Sequence, residues 1–180
     1  MKVNTVKSAR KHQGKCEACR EEITPGMGYR YIAPRHGGRR KRHLHCPMWR
    51  PSEMVSGKMA TAMAAQEDAE ESVNNLIDGI DQQQLDSVHE DLRTIMEECA
   101  QGARDCAEEY QEGLDNMPQG LQDGPTGEEI QEKIELLEDW AGRLEDYDPD
   151  EYDPDEEETV EDWSERLRDE ALDAINSLEA

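Results

Sequence analysis

The sequence predicts a mainly α-helical protein with a small N-terminal β-hairpin finger, its helices packed as an elongated antiparallel hairpin or bundle. Three observations predict this. Cys16-x2-Cys19 and His43-x2-Cys46 bring four metal-type residues into the first 50 positions. Beyond them, apolar residues recur every three or four positions, the period of a helix face. Charge also reverses: residues 1–50 hold 13 Lys/Arg against 3 Asp/Glu, and residues 51–180 hold 7 against 41.

The finger comes first in the chain. Three thiolates and one imidazole make a closed tetrahedral set for zinc, and two ligand pairs can staple a segment too short to bury a core of its own. The chain has five Cys, so complete disulfide pairing would leave one over, and no secretory apolar segment follows Met1. The expected ligands are Cys16, Cys19, His43 and Cys46. His43 keeps the same two-residue gap as the first pair; His45 is the alternative, because alternate residues of a strand share a side. Thr24-Pro25-Gly26 is a turn, Tyr29-Arg30-Tyr31-Ile32 a strand, Pro34 with Gly37-Gly38 a second turn, and residues 39–45 the returning strand.

Lys7-Ser8-Ala9-Arg10, Cys16-x2-Cys19, Ile23, Gly26, Tyr29-Arg30 and His43-x2-Cys46 together resemble the zinc finger of poly(ADP-ribose) polymerases and nick-sensing DNA ligases. That resemblance covers the first quarter of the chain and implies a finger that meets DNA; the spacer between the ligand pairs is shorter than the family's usual one. The basic finger, the Pro51-Ser52-Glu53-Met54 junction, an Ala/Met-rich stretch at 59–70 and acidic helices are similar to small uncharacterised bacteriophage proteins. This second resemblance implies residence in the cytoplasm of a bacterial host.

Lys7, Arg10, Lys11 and Lys15 precede the finger's hairpin, and Arg35, Arg39, Arg40, Lys41 and Arg42 occupy it. Cations so placed suit phosphate contact with DNA or RNA, driven by counterion release. Tyr29, Tyr31 and Trp49 can stack on bases or form the finger's own small core.

Residues 51–146 read as an acidic helical hairpin or bundle. A first helix is expected from Ser52, after Pro51, to about Ile80. A second runs from Asp81 to about Gly113 with Leu85, Val88, Leu92, Ile95, Cys99, Ala103, Cys106 and Tyr110 on one stripe. Cys99 and Cys106 are expected as core thiols, and His89 as a surface histidine. Breaks at Pro118 and Gly124-Pro125 allow a third helix to fold back, with Thr126 as N-cap, Glu129 at the capping-box position, and Ile130, Ile134, Leu137, Trp140 and Leu144 buried. With no Phe and 34 % hydrophobic residues, core volume is small, and a second copy of the chain is one way to complete it.

The tandem repeat Tyr147-Asp148-Pro149-Asp150-Glu151 and Tyr152-Asp153-Pro154-Asp155-Glu156 opens an acidic linker, 147–158, expected to be extended and solvated. A final amphipathic helix, 159–180, carries Val160, Trp163, Leu167, Ala171, Ile175 and Leu178. Such a linker would let that helix dock on the bundle or reach back to the basic finger.

Enzyme signatures are missing: there is no phosphate-binding glycine loop, no placed nucleophile and base, and no open metal position. No apolar stretch is long enough to span a bilayer. Two readings follow. In one, a non-enzymatic finger binds nucleic acid or a nucleic-acid complex while the acidic helices hold a protein partner or limit binding. In the other, the acidic helices imitate DNA and inhibit a DNA-binding protein, with the finger as a protein-docking module.

Overall fold

The structure is a computed structural model that describes residues 2–34, 38–55, 57–78, 80, 85–149, 152 and 159–178, with the side chain of residue 86 excepted. Arg35, Gly37, the expected helix start at 81–84 and most of the acidic repeat lie outside the described residues. The chain divides into two units, Met1–Val55 and Ser56–Ala180.

The first unit holds a three-stranded antiparallel sheet of order β1 (Asn4–Val6), β2 (Tyr29–Ile32) and β3 (Arg40–His43). The β2–β3 hairpin was legible in the sequence; β1 was not, because three residues carry too little pattern. Gly26 turns the chain ahead of β2 with φ +93, a conformation that glycine adopts without steric penalty. The register sets Tyr29 opposite His43 and Arg30 opposite Arg42. Side chains alternate across a strand, so Tyr29, Tyr31, Lys41 and His43 share one face and Arg30, Ile32, Arg40 and Arg42 the other. On the first face Ala9, Cys16, Ile23, Tyr29 and Cys46 form a small core, with Val6 and Tyr31 against it.

Pro51 does begin a helix, but α1 (Pro51–Met54) is a single turn. The continuous helix expected from Ser52 to Ile80 is corrected here. Val55 is extended, at φ −84 and ψ 143, and Gly57 takes φ +114, so the chain leaves the helix before α2 (Met59–Asp78) begins.

The second unit comprises α2, α3 (Leu85–Asp115), the short α4 (Gln119–Gln122), α5 (Pro125–Glu145) and α6 (Val160–Ile175). α3 packs on both α2 and α5, and α6 packs on α2. Lys58 reaches the Glu109 carbonyl while Ala65 faces Gly102, so α2 and α3 are antiparallel. Gln66 bonds Asn176 at 2.8 Å and Asp78 pairs with Arg168, so α6 also opposes α2. Lys133 lies over the Tyr110 ring, and Arg93 pairs with Asp148 just past α5. The four long helices thus alternate in direction, an up-down-up-down bundle.

Its core contains Val88, Leu92, Cys99, Cys106, Ile134, Leu137, Trp140, Leu144, Trp163, Leu167, Ala171 and Ile175, as the stripes predict. Leu121 is the one exposed large hydrophobic among the described residues of this unit, so the stripes are covered within a single chain. Met96, Ala100 and Ala107 are buried as well. They fall beside the expected stripe because α3 meets helices on two sides, which widens its buried face.

Three further expectations are corrected. Thr126 is not the N-cap of α5: Gly124 takes that place and Pro125 starts the helix, its fixed φ suiting the first helical position. His89 is not a surface histidine; its ring is partly buried with its centroid 6.0 Å from that of Trp163. The described part of the repeat is not a solvated spacer, because Tyr147 and Tyr152 pack on the helical core and Tyr152 meets the Trp163 ring edge-on at 5.5 Å. The two tyrosines, five residues apart inside a charged run, are docking points that the charge count conceals. α6 starts behind Thr159, whose hydroxyl accepts from Asp162 N at 3.1 Å. Its apolar face is buried in the bundle, so it is not a free arm.

Candidate metal centre

The first ligand pair lies in a tight turn. Arg20 N donates to Cys16 O at 3.0 Å, Cys16 N to Glu21 O at 2.7 Å, and Arg20 adopts φ 65 to reverse the chain. The second pair sits at the end of β3, where Cys46 N donates to His43 O at 3.2 Å. The two pairs meet. Cys16 Sγ is 3.7 Å from Cys46 Sγ, Cys19 Sγ is 3.3 Å from His43 Nδ1, and one ligand atom from each of the four residues lies within 4.8 Å of the others. The cysteines are free thiols. This cluster can hold a metal ion, and it contains His43 rather than His45. His45 is exposed and stacks on the His43 ring at 4.9 Å and 13°.

The thiols compete for charge. Burial pushes the Cys16 thiol up, but hydrogen bonds from Cys19, His43 and Ala18 outweigh it and bring the thiol down to about 6. Cys46 is pushed up to about 11 by burial and by its neighbours Cys16 and Cys19. Three sulfurs this close cannot all be anionic without a cation among them.

Behind the turn lies a feature that the sequence did not announce. Glu17, between the two first ligands, accepts from Arg40 Nε at 2.7 Å and from Trp49 Nε1 at 2.8 Å. Burial would raise its carboxyl, yet the hydrogen bonds from Arg40 and Trp49 and the charges of Arg40 and Arg42 hold it below the usual carboxylate range. Arg42 also pairs with Glu53 and donates to Met48 O at 2.9 Å, while Arg40 donates to Glu53 O at 2.5 Å. This ionic cluster fastens the ligand turn and α1 to the back of the sheet.

It also redistributes the expected phosphate contacts. Arg40 and Arg42, expected at phosphates, are ion-pair partners of Glu17 and Glu53, with Arg42 only 8 % exposed and Arg40 half-buried. Lys41 Nζ donates to Gln13 O at 2.6 Å. Trp49, 4 % exposed under the Arg42 guanidinium, is no stacking platform. Tyr31 is half-buried, with the Arg39 guanidinium 4.9 Å from its ring centre. Lys7, Arg10, Lys11 and Lys15 are exposed, as is Arg39; Arg35 lies outside the described residues. Strand alternation along Arg40-Lys41-Arg42 groups the two paired arginines on one side of β3 and Lys41 on the other.

No family model, curated protein or solved structure matches this chain. Among the described residues no helix is long and apolar enough to cross a membrane.

Proposed function

We propose that this is a non-enzymatic zinc-finger protein whose basic N-terminal unit binds nucleic acid, DNA or RNA, with little sequence preference. Zinc fits the donor set. A tetrahedral ion with zinc's bond lengths places two thiolates about 3.8 Å apart, and a thiolate and an imidazole nitrogen about 3.5 Å apart. The sulfur and nitrogen separations of 3.7 and 3.3 Å lie close to those edges. Cys16, Cys19, His43 and Cys46 would hold the ion, all four positions filled by protein, so its part is to tie the first turn to β3.

The observation that carries the nucleic-acid reading is the division of the cations. Arg40 and Arg42 are paired with acids, whereas Lys2, Lys7, Arg10, Lys11 and Lys15 are exposed and make no ion pair among the described residues. No Asp or Glu occurs before Glu17 to neutralise them. Unpaired lysines and arginines on a rigid module release counterions when they meet phosphates. The likeness to the finger of poly(ADP-ribose) polymerases and DNA ligases points the same way. The likeness to phage proteins argues for an activity in bacterial cytoplasm, where the acidic bundle serves a protein partner or tempers binding. Equilibrium binding of the zinc-loaded full chain to duplex and single-stranded DNA and to RNA, across salt concentrations, tests the reading. Absence of binding at low salt to all three would overturn it.

A further inference from the structure

A second group of metal-type side chains converges in the finger: Cys19, Glu21 and His45, one ligand atom of each within 4.8 Å of the others, all three exposed. The local chain explains why. Arg20, at φ 65, turns the backbone so that Glu21 returns beside Cys19. His45 follows His43 by two residues, and the stack of the two rings at 4.9 Å fixes its imidazole on the outer side of the inner cluster. Cys19 is the exposed member of the inner four, so its sulfur belongs to both groups.

The chemistry of this outer group suits a cation. A thiolate bound to one ion keeps lone pairs for a second. Three thiolates around one divalent ion leave the inner site with net negative charge. Sulfur, nitrogen and one carboxylate oxygen select zinc, cobalt or cadmium over magnesium or calcium. Solvent on the outer side supplies water for the remaining positions.

We propose that Cys19, Glu21 and His45 form a second, solvent-open site for a zinc-class divalent cation, with Cys19 bridging it to the inner ion. This rests on the inner cluster being a metal site. The test is a cobalt(II) titration of the metal-free full-length chain, followed through the sulfur-to-cobalt charge-transfer absorbance. Helix carboxylates give no such band, and the two thiols of the acidic unit, Cys99 and Cys106, are buried in its core, so that unit does not enter the signal. Two steps are expected, the second needing roughly 100-fold more free cobalt because three exposed ligands replace four converging ones. His45→Ala and Glu21→Gln should each remove the second step and keep the first. A single step in the wild type, or a second step that survives both substitutions, overturns the outer site and leaves the inner one standing. Absence of any charge-transfer band overturns both.

Discussion

Glu17 and Arg40 are joined by a hydrogen bond of 2.7 Å from Arg40 Nε to Glu17 Oε1, linking the first ligand turn to the strand that delivers His43. Residues that support ligands from behind orient the metal site without touching the ion, and their loss lowers metal affinity by roughly 10- to 100-fold. Glu17→Ala is therefore expected to weaken zinc retention by about that factor, read by competition with a chelating dye. The same substitution on an exposed acid, Glu22→Ala, should leave retention unchanged. Equal retention in both variants would show that the ion pair does not support the site.

Removing the metal should unfold one unit and spare the other, because none of the four ligands lies beyond Cys46. Structural zinc contributes on the order of 10 kcal/mol to the folding of such a module. Chelation is expected to expose Trp49, 4 % exposed in the folded finger, while helical circular dichroism is largely kept. His43→Ala should lose the inner ion and His45→Ala should keep it, as elemental analysis will report. Full zinc content in His43→Ala would contradict the ligand assignment.

The thiols divide in the same way. Burial, and to a lesser degree the charge of Glu70, pushes Cys99 up to about 12, and burial also raises Cys106. At pH 8 both stay protonated behind the helices and should resist alkylation, since the thiolate is the reactive form. Mass spectrometry after brief alkylation should find little labelling of the zinc-loaded chain, three labels after chelation and five after denaturation. Rapid labelling of Cys99 in the native chain would mean that α2 and α3 part more readily than their packing implies.

Much of this was legible before any coordinate. Ligand spacing marked the cluster that can hold a metal ion, and the three- and four-residue steps marked α3, α5 and α6, because one buried face per helix leaves a period in the sequence. What escaped has a shared cause. Glu17, Arg40 and Arg42 are charged residues that pair with one another in a very small module, on the sheet face away from its apolar core, and composition reads them as surface. Tyr152 packs on Trp163 from inside an acidic run for a similar reason: a single aromatic contact leaves no period.

Gly102 marks a close approach of α2 and α3. A Cβ there would come within 2.4 Å of Ala65 Cβ, a side chain with no far end to swing away. Alanine favours a helix over glycine by about 1 kcal/mol, but overpacking costs about 1–3 kcal/mol. Gly102→Ala should therefore lower the denaturation midpoint of the helical unit, and Gly102→Val should lower it further. Gly142, where an added Cβ meets nothing within 4 Å, is the control, and Gly142→Ala should raise stability. A rise in both alanine variants would show that α2 and α3 can separate at no penalty.

The division of the cations makes the sharpest functional test. Lys7, Arg10, Lys11 and Lys15 are exposed, and replacing all four by Ala removes no ion pair found among the described residues. The variant should keep its zinc and its melting behaviour yet bind nucleic acid far more weakly. Each duplex phosphate deprived of its cation should flatten the slope of log K against log salt by about 0.9. Arg40→Ala and Arg42→Ala should behave in the opposite order, losing finger stability first because each removes an ion pair that holds Glu17 or Glu53. Comparison of the salt slope with zinc content for the two groups separates a phosphate-binding surface from a scaffold. If the fourfold variant binds as tightly as the wild type, with the same slope, the arm before the first ligand is not the nucleic-acid surface, and Arg39 beside Tyr31 becomes the next cation to replace.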